Sequence, residues 1–327
     1  MPEPVLVIGG MGAIGIWVVR ELLDRGHQVV VLDTRYDATF LRDIEGKFEY
    51  LPGDVTDLPR LIHVMRDHSI GCVIHLAALL FQCEDNPPLG FAVNTAGTIN
   101  VLEAARIAGV GRIAFTSAKA VYGQISGEHA HPHYRPVSED APKRPDSIYG
   151  ASKLAAEHAG LHYARKFGVD FVALRLASLF GPGRLSRHGA LAITSDMVER
   201  AHAGQPVKVA QGSEQGEDLL YTRDAARGIV CAALAGSPRD RVFNIGSGLP
   251  ITLGAFAAGV REVFPHAKIE IGPGLDYWGM GKQYYSVLDV ARARDQLGFA
   301  PKYSLAEGIR DYVRILEQVR TRWDEAR

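Results

Sequence analysis

The chain has 327 residues and a formal net charge of −1, with 47% hydrophobic and 22% charged residues. This composition is typical of a globular protein with one large domain or two modest ones, and the near-neutral charge argues against a nucleic-acid partner. Three scattered cysteines without a CxxC pair argue against a disulfide framework and fit a reducing compartment. The apolar stretch 5–19 is broken by glycines and lacks a basic flank, and no run reaches the length of a membrane helix. We therefore expect a cytoplasmic protein that has no membrane partner.

Short β-branched runs alternate with helical patterns along the first half of the chain. The predicted strands are 5–8, 28–32, 48–51, 72–75, 112–116 and 171–176. The predicted helices between them are 12–25, 58–67, 91–108 and 149–167. This alternation predicts an α/β fold, a doubly wound parallel (Rossmann) sheet covered on both faces. After residue 183 the elements shorten, 241–245 again resembles a sheet strand, and an amphipathic helix is predicted from residue 305 to about 319.

A glycine-rich turn joins the first predicted strand to the first predicted helix. Gly9, Gly12 and Gly15 have the spacing GxxGxxG, and Ala13 and Ile14 lie within the same turn. Such glycines permit a tight turn, bring backbone N–H groups against a pyrophosphate and let the helix pack close to the strand.

An acidic residue follows the second strand at the spacing that accompanies such a turn. Asp33 comes 18 residues after Gly15 (33 − 15), near the roughly 20 that this motif shows. A carboxylate there accepts hydrogen bonds from the adenosine ribose and repels a 2′-phosphate, so NAD is favoured over NADP, although nearby Arg35 leaves NADP open. We therefore assign 1–177 to an NAD-binding Rossmann domain with returning segments near 218–250. Residues 178–327 are assigned mainly to a substrate-binding lobe.

Tyr149 and Lys153 lie four residues apart and therefore share one face of the predicted helix. An ammonium near a phenol favours the phenolate, so the pair forms an acid/base group suited to a bound nicotinamide.

The chain resembles the extended short-chain dehydrogenase/reductases of the NAD-dependent epimerase/dehydratase group, and the matching segments span most of its length. They are GGMGAIG at 9–15, DV at 54–55, HLAA at 75–78, NTAGT at 94–98, TSAKAVYG at 116–123, YGASK at 149–153, RLASLFGPG at 175–183 and LGFAP at 297–301.

The resemblance implies roles for individual residues. Asp54 and Val55 are expected to flank the adenine, and Ala77, Ala78 and Asn94 to lie at the cofactor. Tyr149 is expected to exchange the proton of a substrate hydroxyl, while Lys153 holds the nicotinamide ribose.

The serine or threonine that polarises the substrate oxygen in similar proteins is replaced by Ala118. Ser117 is our candidate substitute, both catalytic and substrate-binding, provided that the strand has ended before it; Thr116 is the other candidate. The Asp–Glu pair of dehydratases is replaced by Lys119 and Ala120, which disfavours elimination and decarboxylation.

Two further departures concern the substrate. Nucleotide-sugar relatives carry an asparagine where this chain has Ser178 and an arginine where it has Glu217, which counts against a diphosphate, although Lys282 softens that argument. Arg184 and Arg187, followed by His188, offer another anion handle suited to a carboxylate, with a solvated basic loop as the alternative. We expect Ser178, Arg184 and Arg187 at the substrate.

His129, His131 and His133 alternate in a loop, but Pro132 and the expected position of the loop favour substrate contact or solvent exposure, so no metal is predicted. His75 is expected to be a buried, hydrogen-bonded group rather than a base. The helices 91–108 and 149–167 often form a two-fold interface in this family, so a homodimer is expected.

The leading interpretation is NAD-dependent oxidation of a secondary hydroxyl on a small carbohydrate-like or hydroxy-acid substrate. The alternatives are an NAD-dependent epimerase of a sugar or nucleotide sugar and a non-catalytic NAD(P)-binding regulatory protein.

Overall fold

A computed structural model describes residues 3–279, 281 and 286–325, without the side chains of residues 190, 191 and 322–325. The strands are β1 (Val5–Ile8), β2 (Val29–Asp33), β3 (Glu49–Pro52), β4 (Cys72–His75), β5 (Arg112–Ala118), β6 (Phe171–Leu176), β7 (Ser178–Phe180), β8 (Val207–Val209), β9 (Gly216–Tyr221), β10 (Val242–Ile245), β11 (Pro250–Thr252) and β12 (Ile269–Ile271). The α-helices are α1 (Gly15–Asp24), α2 (Leu58–Asp67), α3 (Gln82–Asp85), α4 (Pro87–Phe91), α5 (Gly97–Ala108), α6 (Ile148–Phe167), α7 (Leu185–His188), α8 (Ile193–His202), α9 (Thr222–Leu234), α10 (Leu253–Val263), α11 (Ala291–Leu297) and α12 (Leu305–Glu325).

Within the described residues, one large sheet has seven parallel strands in the order β10–β6–β5–β4–β1–β2–β3. Its strands are apolar on both sides because helices cover both faces. One face packs against α1 and α9, and the other against α2, α5 and α6. This arrangement confirms the predicted doubly wound α/β fold.

The strand order reverses between β1 and β4, which are neighbours in the sheet. From β1 the chain continues to β2 and β3 on one side, and from β4 it continues to β5 and β6 on the other. At such a point the loops after neighbouring strands diverge and leave a crevice at their carboxyl ends, where ligands of this fold class bind. The residues that follow β1, β4 and β5 therefore border one site.

The remaining strands form two small sheets over that edge. β11, β9 and β7 make one, and β8 pairs with β12 in the other. Helices α8, α10 and α12 pack around a third apolar cluster there. The proposed boundary after residue 177 falls between the large sheet and β7, and β10 returns to the large sheet beside β6.

Three of the differences from the prediction have a local reason. Helix α1 begins at Gly15 rather than Gly12, because the Gly12 N–H first bonds the Gly9 carbonyl oxygen at 3.0 Å and closes a turn. The predicted helix 91–108 is divided by a π-helical turn, Ala92–Ala96. Strand β5 runs on to Ala118, paired with β6.

Candidate active site

The glycine turn after β1 lies close to neighbouring backbone on two sides. Gly9 has φ +82°, and a Cβ on it would lie 2.7 Å from the Ala77 nitrogen. A Cβ on Gly15 would lie 2.3 Å from the Gly9 carbonyl oxygen. A Cβ on Gly12 would meet only that same oxygen within 4 Å, so Gly12 otherwise faces open space. The turn thus presents bare backbone at the start of α1, as a pyrophosphate requires.

Asp33 ends β2 and is joined to this turn. Its Oδ2 accepts a hydrogen bond of 2.9 Å from the Met11 backbone N–H, and its Oδ1 accepts one of 3.4 Å from the Arg35 N–H. The carboxylate is therefore held at the end of the strand beside the glycine turn, where it can meet ribose hydroxyls.

The other predicted cofactor residues follow β3 and β4. Asp54 is exposed and its Oδ1 accepts hydrogen bonds from the N–H and hydroxyl of Thr56, while Val55 is buried in the core. Ala77 is half-buried and Ala78 exposed, directly after β4. Both pairs lie at the carboxyl edge of the sheet, and their contacts with the cofactor stay predictions.

Asn94 is fully buried and its amide binds protein groups. Its Oδ1 accepts from the Leu79 N–H at 2.8 Å, and its Nδ2 donates to the Leu79 carbonyl at 2.9 Å and to the Ser152 hydroxyl at 3.0 Å. Asn94 therefore holds the loop after β4 against α6, and its contact with the cofactor stays a prediction.

Tyr149 and Lys153 lie in the first turns of α6. The Ser147 hydroxyl caps this helix by accepting the Gly150 N–H at 3.0 Å. The Lys153 ammonium lies 4.2 Å from the centre of the Phe115 ring, on the helix-covered face of β5. These contacts fix the pair at the carboxyl edge of the sheet, beside the loop after β4.

Burial shifts both pKa values away from the charged forms. It lowers the pKa of Lys153 to about 7 and raises that of Tyr149 to about 12. The nearby Arg184 charge favours the phenolate but does not offset the loss of hydration. The expected lowering of the Tyr149 pKa by Lys153 is therefore not what this structure shows, because desolvation dominates.

The condition that we set for Ser117 is not met. Strand β5 continues through Ala118, and alternate residues of a strand point to opposite faces. Ser117 therefore points away from the side of Ala118, and its hydroxyl is buried without a hydrogen-bond partner among the described residues. Thr116 is also occupied, since its hydroxyl donates to the His75 carbonyl at 3.2 Å.

Arg184 lies near Tyr149. Burial lowers its pKa to about 10, while electrostatic interactions with Tyr312, Tyr149 and Glu217 act in the opposite direction. Its Nε is buried and, in the part of the chain that the structure describes, has no hydrogen-bond partner. A guanidinium whose buried Nε has an open donor is suited to hold an anionic group of a ligand.

Arg187 does not join Arg184 as the sequence suggested. Its Nη2 donates to Asp37 Oδ2 at 2.6 Å, on the loop after β2. The short helix α7 turns the two arginines apart, so Arg187 is committed to an ion pair outside the expected substrate clamp.

Ser178 and Glu217 belong to one buried cluster that sequence reasoning did not find. Glu217 Oε1 accepts the Ser178 hydroxyl at 2.8 Å and the Lys119 ammonium, and Oε2 accepts the Tyr277 hydroxyl. Glu217 is 1% exposed. Ser178 thus binds a protein carboxylate rather than facing a ligand alone, and no sequence pattern connects Tyr277 with the rest. Lys282 lies outside the described residues.

His75, His129 and His131 have protein partners. His75 is buried with Nε2 3.0 Å from the Thr98 hydroxyl, and burial lowers its pKa to about 3, as expected for a group that is not a base. His129 Nδ1 lies 2.7 Å from the Arg135 carbonyl oxygen and His131 Nδ1 3.2 Å from the Tyr134 hydroxyl. Over the described ranges, no group of three or more His, Cys, Asp or Glu residues is placed to hold a metal ion.

The fold, with a glycine turn after its first strand, is that of a dinucleotide-binding protein. A family model described as the NAD dependent epimerase/dehydratase family matches residues 5–246, and the chain belongs to this family. It is an NAD-dependent epimerase or oxidoreductase of the extended short-chain dehydrogenase/reductase type.

Its relatives include UDP-glucose 4-epimerases. The chain is 31% identical over 315 residues to the UDP-glucose 4-epimerase of Mycolicibacterium smegmatis, covering 93% of this chain and 95% of the relative. The structure of the Thermus thermophilus UDP-glucose 4-epimerase in complex with NAD superposes with a TM-score of 0.81 at 30% identity, covering 96% of this chain and 99% of that one. The Thermotoga maritima UDP-glucose 4-epimerase with UDP-glucose has a TM-score of 0.84 at 26% identity, with 97% and 99% covered.

None of the helices in the described part of the chain is both long and apolar enough to span a membrane.

Proposed function

We propose that the protein is an NAD-dependent epimerase that inverts a secondary hydroxyl of a sugar derivative. The residues alone led us to place a dehydrogenase first, and the relatives favour the epimerase alternative instead. Both reactions begin with the same oxidation, so the observation that carries the proposal is common to them: Tyr149 and Lys153 are fixed on α6 at the carboxyl edge of the sheet. The enzymatic relatives also favour this reading over a non-catalytic regulatory protein.

The residues of the chain divide the work as follows. The turn at Gly9, Gly12 and Gly15, with Ala13 and Ile14, cradles the pyrophosphate, and Asp33 binds the adenosine ribose. These residues fit NAD because Gly12 leaves open space above the turn and Asp33 is anchored there through Met11.

NAD⁺, when bound, would supply the hydride acceptor. The Lys153 side chain favours the phenolate that burial otherwise disfavours. Tyr149 then takes the proton of the substrate hydroxyl and later returns it to the reduced product.

The same site supports a second candidate, dehydrogenation of a small hydroxy acid. Arg184 supports this candidate, because its buried Nε has no hydrogen-bond partner in the described part of the chain and it interacts electrostatically with Tyr149. The relatives named above act on nucleotide sugars, whereas Glu217 would repel a diphosphate from the place where an arginine is expected. We therefore propose a substrate whose anionic group is held by Arg184.

Two assembly and location proposals accompany this function. We propose a homodimer, supported by exposed apolar side chains on and beside α4, α5 and α6: Leu89, Phe91, Ile99 and Phe167. Sedimentation of the wild type and an Ile99→Asp variant tests it, and an unchanged monomer in both would contradict it. A cytoplasmic location stays a prediction, supported by three cysteines that are all free.

A substrate screen tests the function. UDP-glucose, UDP-galactose, sugar acids, hydroxy acids and free sugars are each incubated with the protein and NAD⁺, and both the epimeric product and net NADH are measured. An epimer without net NADH supports the proposal, and stoichiometric NADH from an acid supports the second candidate. Absence of both with every compound contradicts the proposed function.

A further inference from the structure

Among the described residues, none of those at the end of β5 offers a free hydroxyl where the substrate oxygen needs a hydrogen-bond donor. Ala118 ends β5 with a methyl group, Ser117 points away from its side, and the Thr116 hydroxyl donates to the His75 carbonyl. Loss of one such donor costs a factor of about 100 to 1,000 in rate. A family member that works therefore needs a donor from elsewhere in the site.

Lys119 is the first residue beyond β5 and its side chain is 14% exposed. It begins a tight turn, Lys119–Tyr122, that packs on the start of α6. The closeness is shown at Gly150, where a Cβ would lie 2.6 Å from the Ala120 carbonyl oxygen. Lys119 precedes Ala120 and Tyr149 precedes Gly150, so the two backbones run side by side at the carboxyl edge of the sheet.

A buried carboxylate directs the Lys119 side chain. Glu217, on β9, accepts hydrogen bonds from the Lys119 ammonium, the Ser178 hydroxyl and the Tyr277 hydroxyl. Glu217 and Tyr149 both interact electrostatically with Arg184. The Lys119 ammonium is thus held against β9, and the turn that it begins packs on the start of α6, where Tyr149 lies.

We propose that the Lys119 ammonium replaces the missing hydroxyl and donates a hydrogen bond to the substrate oxygen, with Glu217 as the residue that positions it. This inference rests on the proposed function. An ammonium has three N–H bonds and can donate to several acceptors at once. Its charge also stabilises negative charge that develops on oxygen more strongly than a neutral hydroxyl does.

The step is balanced as an ordinary oxidation. The substrate O–H proton goes to the Tyr149 phenolate, the carbon-bound hydride with its electron pair goes to NAD⁺, and the carbon–oxygen bond becomes a carbonyl. Lys119 transfers no proton in this step. It donates a hydrogen bond to the substrate oxygen while that oxygen carries developing negative charge. In the reverse step it polarises the carbonyl for the return of the hydride.

The test is a rescue experiment on the full-length protein with the substrate that the screen identifies. Lys119→Met is expected to lower kcat about 100-fold and to lower the melting temperature, because the buried Glu217 carboxylate loses its ammonium, while the NAD⁺ affinity stays close to that of the wild type. Adding Ala118→Ser in the Lys119→Met background restores the hydroxyl and is expected to recover at least about 10-fold. Lys208→Met, which removes an exposed ion pair with Glu270, is the matched control.

A second variant covers the case in which Lys119→Met does not fold. Glu217→Gln keeps the shape of the side chain, leaves Lys119 less well directed, and is expected to lower kcat about 10-fold while KM changes less. A purely structural ion pair between the two lobes would instead lower the melting temperature and leave kcat unchanged.

The outcomes distinguish failure of this inference from failure of the proposed function. Wild-type turnover together with a folded Lys119→Met protein of equal kcat, or with a double variant no faster than Lys119→Met, overturns the inference alone. A wild type that turns over none of the compounds overturns the proposed function and this inference with it.

Discussion

Glu157 and Arg175 form an ion pair in the interior, with each side chain 2% exposed, and join α6 to β6. Arg175 Nε donates to Glu157 Oε2 at 3.1 Å, and its Nη1 donates to the Tyr122 hydroxyl at 3.0 Å and the Glu139 carbonyl at 2.8 Å. Glu157 lies one helical turn beyond Lys153, so this pair fixes the part of α6 that carries the proposed acid–base residues.

Glu157→Ala is therefore expected to reduce the free energy of unfolding by about 3–5 kcal/mol, because it leaves a buried guanidinium without its carboxylate. Urea denaturation measures the change. Glu128→Ala is the control: it breaks an ion pair with Arg135 whose side chains are 72% and 68% exposed, and we expect no change. Equal effects of the two substitutions would contradict a special role for the interior pair.

Asp33→Asn is expected to weaken NAD⁺ binding about 10-fold, because one charge-assisted hydrogen bond to the ribose is lost. Asp33→Ser should raise the affinity for NADP⁺, since the carboxylate that repels a 2′-phosphate is gone and the native Arg35 remains nearby. Fluorescence titration with both dinucleotides measures this, with Asp24→Asn on the exposed end of α1 as the control. An unaltered preference for NAD⁺ after both substitutions would show that Asp33 does not read the ribose.

Lys153 gives a pH dependence of stability whose sign follows from its pKa. The value falls from 10.5 in the unfolded chain to about 7 in the folded protein. Between pH 7 and 10.5 the unfolded chain therefore binds more protons, and the contribution of Lys153 to stability rises with pH across this window. Below pH 7 its contribution stays at its lowest, because both states then carry the charge.

Lys153→Met should thus melt at a higher temperature than the wild type at pH 7, by at least about 4 °C, and the difference should shrink as the pH rises towards 10. Thermal denaturation of both proteins across this range checks it. Parallel curves with a constant difference would mean that Lys153 keeps an ordinary pKa in the folded protein.

The two arginines after β7 are expected to behave differently. Arg184→Ala should raise KM for an anionic substrate about 30-fold or more, because a charge-assisted hydrogen bond is lost in a buried place. Arg187→Ala should leave KM nearly unchanged, since its guanidinium binds Asp37. Steady-state kinetics of both variants decide the point, and a larger effect of Arg187→Ala would reverse the assignment.

The fold could be predicted because its signals are local. Strand β4, helix α2 and strand β6 have the predicted bounds, since continuous apolar runs and a helical period indicate them directly. The turn at Gly9 and Gly15 and the place of Asp33 at the end of β2 also follow from spacing, because a tight turn and the end of a neighbouring strand are fixed by the chain itself. Their contacts with the cofactor stay predictions.

The substrate side of the site was harder to predict because it depends on the direction and the partners of individual side chains. The prediction for Ser117 assumed a strand that stopped two residues early, and pairing with β6 extended it. The sequence does not show that Arg187 and Arg184 have different roles, because Asp37, the partner of Arg187, lies 150 residues away. The Glu217 cluster likewise joins residues from four distant segments, for which a single sequence carries no signal.

The central claim is that Tyr149 exchanges the proton while NAD⁺ takes the hydride, and a single-turnover experiment with Tyr149→Phe tests it most directly. Excess protein loaded with NAD⁺ is mixed with the substrate, and the rise in NADH absorbance is followed for the wild type and the variant. We predict a transient or lasting NADH signal in the wild type, and a rate at least about 100-fold lower in a variant that still folds and binds NAD⁺. NADH formation by Tyr149→Phe at the wild-type rate would contradict the account.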